Sequence, residues 1–157
     1  MIRTQPQALV AQAPSSTEVP MGAIRVKVKL ANAMDEALAR RGQLDAAGIR
    51  TCEVDALVDT GSISPVLPSF VAQQLGLAIV GRRNAELADA SVIIAEVTES
   101  VGIDVRGRRV DLQALITGNE VIIGQTVLEM IDMQVDCMNQ RLIPNPAHPD
   151  QPIIKLK

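Results

Sequence analysis

The chain of 157 residues is long enough for one domain with a real core, and 47% of it is hydrophobic. A formal net charge of −3 gives no electrostatic reason to expect nucleic acid or an anionic membrane as partner. Phe70 is the only aromatic residue, so there is no stacking platform for bases, and the core must be built from Val, Ile, Leu, Ala and Met.

Residues 1–20 are rich in Gln, Ala, Pro, Ser and Thr and read as a disordered N-terminal arm. Ala11-Gln12-Ala13 looks like a signal-cleavage site, but the apolar run before it, Ala8 to Ala11, is too short for a signal h-region. No stretch approaches the roughly 18 apolar residues of a membrane span. A cytoplasmic location with no membrane partner is expected.

Ile24 to Leu30 alternates apolar and charged residues, which predicts a half-buried strand. Met34 to Leu44 predicts a short helix inside a long connection. Ile49 to Val58 reads as a strand. Its apolar end, Ala56-Leu57-Val58, suggests burial on both faces, and Asp59-Thr60-Gly61-Ser62 is a sharp exit from it. Pro65 and Pro68 argue against a central strand in the segment that follows. Ser69 is the expected N-cap of a helix from Phe70 to Leu75, ended by Gly76.

Glu86 to Val97 predicts two strand pieces around Asp89-Ala90-Ser91. Gly102 to Val105 and Arg109 to Leu112 predict a hairpin around Arg106-Gly107-Arg108, with its second strand running on through Ile116. Val121-Ile122-Ile123 is a short apolar strand stopped by Gly124, and Thr126 to Ile131 is a helical turn. Met133 to Cys137 and Arg141 to Ile143 read as a final hairpin. Many short strands with regular turn signals predict a mostly-β fold, a closed β-barrel with two or three short helices.

Few residues offer chemistry. Cys52 and Cys137 lie in strand-like stretches and read as small buried hydrophobes, with a disulfide between them left open. Neither has a CxxC partner or a nearby His, so no metal and no cofactor are expected. The one histidine, His148, sits in the Pro-rich tail, away from any Ser-His-Asp arrangement. Arg82-Arg83 and Arg106 to Arg109 read as solvated turn residues. Asp55 and Asp59 share a strand face but are about 13 Å apart along it, too far to share a proton.

Asp59 is the exception. A carboxylate at the end of a rigid strand, beside a tight loop, is held by the scaffold yet open to substrate. Asp, Gly and Ser are also ordinary turn residues, so the stretch alone is compatible with a plain turn. A single ionised Asp is a weak base, whereas two carboxylates in contact behave differently. At an effective dielectric of 20, two charges 4 Å apart repel by about 4 kcal/mol, so one carboxyl keeps its proton while the other acts as base. The chain has one Asp-Thr-Gly, so a second carboxylate has to come from a second copy.

The run Ala56 to Ser62, followed by Val66-Leu67-Pro68, Leu75-Gly76-Leu77 and Val121-Ile122-Ile123-Gly124, resembles a retropepsin-like aspartic protease. In that family's pattern an Asp-Thr-Gly-Ala/Ser loop is followed by a hydrophobic-hydrophobic-Gly before a short helix. The resemblance covers residues 21–143 as a protease domain and leaves residues 144–157 as a Pro-rich tail. It implies a two-fold homodimer and an aspartic endopeptidase acting on a polypeptide substrate, with Asp59 as the catalytic carboxylate. Thr60 would brace the two loops across the dimer axis, Gly61 would admit substrate backbone, and Ser62 would hydrogen-bond the outer carboxylate oxygen. Ile122 and Ile123 would pack behind the loop and line the pocket, with Gly124 closing that motif. Ala88, Asp89, Ala90, Ser91 and Val92 would form the flap, and Ile153 to Leu156 is a candidate dimer-interface strand.

Two features depart from the compact retroviral enzymes: a longer connection from Ala31 to Gly48, and a flap without multiple glycines. Two rival readings stand beside it. One is a catalytically silent, dimeric peptide-binding β-barrel. The other is phosphoryl transfer through an aspartyl-phosphate, which needs an Asp two places on or a Lys directly after Asp59, where Gly61 and Thr60 stand.

Overall fold

The computed structural model describes residues 23–156; the expected N-terminal arm, residues 1–20, lies outside them. The strands are β1 (Ile24–Asn32), β2 (Thr51–Val58), β3 (Val66–Leu67), β4 (Ile79–Glu86), β5 (Val92–Thr98), β6 (Val101–Val105), β7 (Arg108–Leu112), β8 (Leu115–Ile116), β9 (Val121–Ile123), β10 (Met133–Asp136) and β11 (Arg141–Pro144). Among the described residues three α-helices punctuate them, α1 (Ala33–Arg40), α2 (Ser69–Gln74) and α3 (Gln125–Ile131), with a single 3-10 turn at Ala46–Gly48. The fold is mostly β, as the turn-rich sequence predicts.

Nine strands form one sheet in the order β4-β5-β8-β3-β9-β2-β1-β6-β7, and β10 pairs with β11 alone. The sheet curls into a half-barrel, and the expected closure is corrected: its end strands β4 and β7 do not pair. Their surroundings explain this. α3 packs against β7, while β4 pairs only with β5 and leaves nearly all its residues exposed.

β1 takes the alternation of its sequence literally. Ile24, Val26, Val28 and Leu30 point into the core and Arg25, Lys27 and Lys29 point out. It pairs antiparallel with β2 on one side and β6 on the other. On the solvent face Lys27 sits opposite Asp55 and Lys29 opposite Glu53, opposite-charge pairs that favour this register. The core is wholly aliphatic around Leu30, Leu67, Leu75, Ile103, Ile123, Ile131 and Leu142, whereas Phe70 is 62% exposed on α2.

Several local expectations need correction. Val66 and Leu67 do form a central strand, between β8 and β9, because Pro65 and Pro68 flank the ladder positions rather than occupy them. The strand after Arg108 stops at Leu112; Leu115–Ile116 is a separate strand on the other side of the sheet, between β5 and β3. Ser69 is the first residue of α2 rather than its cap; Pro68 holds the cap position and no side chain caps it.

Cys137 is exposed in the β10–β11 turn, and Cys52 is half-buried in β2; both are free thiols. Arg108 is no solvated turn residue either. It is 7% exposed and donates to the carbonyls of Ile131, Asp132 and His148.

The long connection after β1 is anchored by a buried polar knot. Asn32 caps α1 by accepting the Asp35 N–H at 3.0 Å and donates to the Leu75 carbonyl at 2.9 Å. Asp35, itself buried, accepts the Arg50 backbone N–H and two guanidinium N–H groups. Among the described residues, no helix is long and apolar enough to cross a membrane.

Candidate active site

β2 delivers Asp59 to an exposed loop at one end of the sheet. Ala56 is fully buried while Leu57 and Val58 are half-buried, so the expected burial on both faces holds for Ala56 alone. β2 lies parallel to β9, with Leu57 opposite Ile122 and Val58 opposite Ile123. The Asp59 N–H continues that ladder by donating to the Ile123 carbonyl at 3.0 Å. Two motifs 65 residues apart in sequence thus become hydrogen-bonded neighbours.

The loop from Asp59 to Ser62 is a tight turn. Ser62 N–H donates to the Asp59 carbonyl at 3.1 Å, and Gly61 N–H donates to Asp59 Oδ1 at 2.9 Å. That second bond fixes the carboxylate over its own turn. The other oxygen, Oδ2, makes no hydrogen bond among the described residues, and Asp59 is exposed. A Cβ on Gly61 would come within 3.2 Å of Asp59 Oδ1, so this close approach suits a residue without a side chain.

The chain that leaves the loop is pinned to the start of α3. Gln125 N–H donates to the Ser62 carbonyl at 2.7 Å and Thr126 N–H to the Ile63 carbonyl at 3.3 Å. These two helix N–H groups would otherwise lack intrahelical partners, so the loop caps the helix while the helix holds the loop. Gly124 makes the approach feasible. A Cβ there would lie 2.2 Å from the Ser62 carbonyl oxygen. Sequence reading finds Gly124 as part of a motif; the Gln125 and Thr126 amides it misses, because backbone donors leave no signal in residue identity.

Ser62 behaves differently from the expectation. Its hydroxyl donates to the Ser64 carbonyl at 2.9 Å within the chain, not to Asp59. Thr60 is exposed, with no hydrogen bond from its hydroxyl among the described residues. Of the apolar pair, Ile123 is fully buried behind the loop and Ile122 is half-buried.

Ala88, Asp89, Ala90, Ser91 and Val92 fall at the tip of the β4–β5 hairpin, and all are exposed. In place of glycines, Asp89 organises the tip: its Oδ1 accepts the Ser91 N–H at 2.9 Å and the Ser91 hydroxyl. These Ser91 bonds hold the Asp89 carboxyl below the usual range. Ala90 adopts φ 66°, a left-handed conformation that costs a residue with a Cβ about 1 kcal/mol.

Chemically, the arrangement presents one exposed carboxylate on a loop fixed at both ends by main-chain bonds. No family model matches the chain, and a search of curated proteins finds no match.

Proposed function

We propose that the protein is an aspartic endopeptidase of the retropepsin type, acting on a polypeptide as a two-fold dimer. Asp59 of each subunit supplies half of the catalytic pair. The observation that carries this reading is the junction of Asp59 with Ile123 and Gly124: the Asp-Thr-Gly-Ser loop sits on the hydrophobic-hydrophobic-Gly strand and helix that its sequence pattern calls for.

Each Asp59 would keep one carboxylate oxygen on its own Gly61 N–H and turn the other toward the partner subunit and a water. With the pair sharing one proton, the ionised carboxylate takes a proton from the water as it attacks the peptide carbonyl carbon, and the protonated one donates to the carbonyl oxygen; the tetrahedral adduct then collapses with loss of the C–N bond as the pair passes a proton to the leaving amine. Thr60, exposed beside Asp59, would brace the two loops. The flap at Ala88 to Val92 would cover substrate, with a tip organised by Asp89. The proposed setting is cytoplasmic, with no nucleic acid and no membrane.

The test compares purified wild-type protein with Asp59→Asn on a mixture of unfolded polypeptides, with products read by mass spectrometry. Wild type cleaves, fastest at acidic to mildly acidic pH, and the variant loses about 10³-fold in rate. If wild type and variant behave alike on every polypeptide, hydrolysis is not the function and a catalytically silent, dimeric peptide-binding half-barrel takes its place.

A further inference from the structure

We propose that the Asp132–His148 contact is a proton-dependent clasp that holds residues 148–153 on the body of the protein and loosens them when the imidazole loses its charge. This proposal is independent of the protease reading.

The tail is Pro-rich, with few regular elements to hold it, yet its contacts converge on one residue. Asp132 ends α3 in a left-handed conformation, φ 56°, which turns its carboxylate toward the tail. Oδ1 accepts the Asn145 amide at 2.9 Å. Oδ2 meets His148 Nδ1 at 2.6 Å and also accepts the Ile153 N–H at 3.0 Å. The Asp132 carbonyl accepts the Asn145 N–H at 3.0 Å. The side chains of His148 and Asp132 are only 20% and 12% exposed, so water screens the contact incompletely.

The other groups here cannot replace the imidazole. Arg108, from β7, spends its guanidinium on the carbonyls of Ile131, Asp132 and His148. Arg106, from the β6–β7 turn, donates to the Leu142 carbonyl of β11. Gln134 of β10 reaches Asn145 and is neutral. In the tail itself Asp150 and Lys155 are both exposed and opposite in sign, and among the described residues neither makes a hydrogen bond or ion pair with Asp132 or His148. The Asp132 carboxyl is held down to about 2, first by the Ile153 N–H, then by Asn145 and His148, so it stays ionised across the neutral range.

Histidine is the side chain whose charge ordinarily changes between pH 5 and 8. When charged, it donates to the Asp132 carboxylate with both partners ionised, so opposite-charge attraction adds to the hydrogen bond. When neutral, it must keep its hydrogen on Nδ1 to preserve any bond at all, and the opposite-charge attraction is lost. The His148 carbonyl also holds Arg108, so release would free one guanidinium donor as well.

The Ile153 N–H shares the Oδ2 atom and is a direct reporter. Its exchange with water is measured by NMR on the full chain at about pH 5 and pH 8, divided by the intrinsic rate at each pH. Protection is expected to fall from the lower to the higher pH, while the amide of the core residue Leu30 keeps its protection. In His148→Gln the Ile153 step disappears, and in Asp132→Asn protection is low at both pH values. Equal protection of wild type at the two pH values, or a pH step that survives in His148→Gln, overturns the clasp.

Discussion

Gly124 is the residue on which the candidate site turns. Its φ of −103° is open to any amino acid, so its role lies in contact and not in conformation. A methyl group 2.2 Å from the Ser62 carbonyl forces the Asp59 loop and α3 apart. Gly124→Ala is expected to cost about 1–3 kcal/mol of stability by overpacking. On the protease reading it also lowers kcat by about 10²-fold through misplacement of Asp59. Denaturant melts and initial rates on the same preparation separate the two effects. Ala90 is the converse case, where conformation decides. Ala90→Gly should raise stability by about 0.5–1 kcal/mol, since glycine accepts the positive φ; thermal unfolding checks it.

Among the elements, the connection from α1 to β2 is held by ion pairs to buried or half-buried carboxylates. Arg50 lowers the Asp35 carboxyl through its hydrogen bonds, and Arg109, which grips both oxygens of Glu36, lowers that one. Asp132 is lowered at the end of α3, to about 2. A depressed carboxyl stabilises the fold above its unfolded pKa and loses that contribution as pH falls through the folded one. The thermal midpoint should therefore fall steeply as pH drops from about 4 to about 2. Asp35→Ala removes the acceptor of three Arg50 donors and should cost about 2 kcal/mol at neutral pH, with the acid-induced loss made shallower. Calorimetry across pH reads both.

For the whole molecule, the catalytic proposal is a statement about assembly. One chain presents one Asp-Thr-Gly carboxylate, so a monomer cannot form the pair. Specific activity should fall on dilution, with a midpoint that matches the monomer–dimer constant from sedimentation; activity proportional to concentration throughout would sink the dimer. The core test is separate. Leu30→Ala, at a fully buried position shared by β1, β2 and β6, should cost about 2–5 kcal/mol in denaturant unfolding.

What the sequence determined by itself was local. Strict alternation from Ile24 to Leu30 makes a strand with one wet face, and Arg106-Gly107 makes a hairpin turn, since both residues take the positive φ that this connection requires. The two motifs flanking Asp59 and Gly124 were legible as well, because their residue types are the signal. Pairing between distant segments was not legible. Whether Val66-Leu67 is central or peripheral depends on which strands arrive beside it, and two residues carry no periodicity. Arg108 reads as a turn charge until Ile131, Asp132 and His148 bring three carbonyls around it. Barrel closure failed for the same reason, since hydrophobic patterning says which face of a strand is buried but not which edge meets a partner. Only the tertiary structure decided those edges, and it also decided that Asp59 rests on Ile123, the contact on which the proposed function stands.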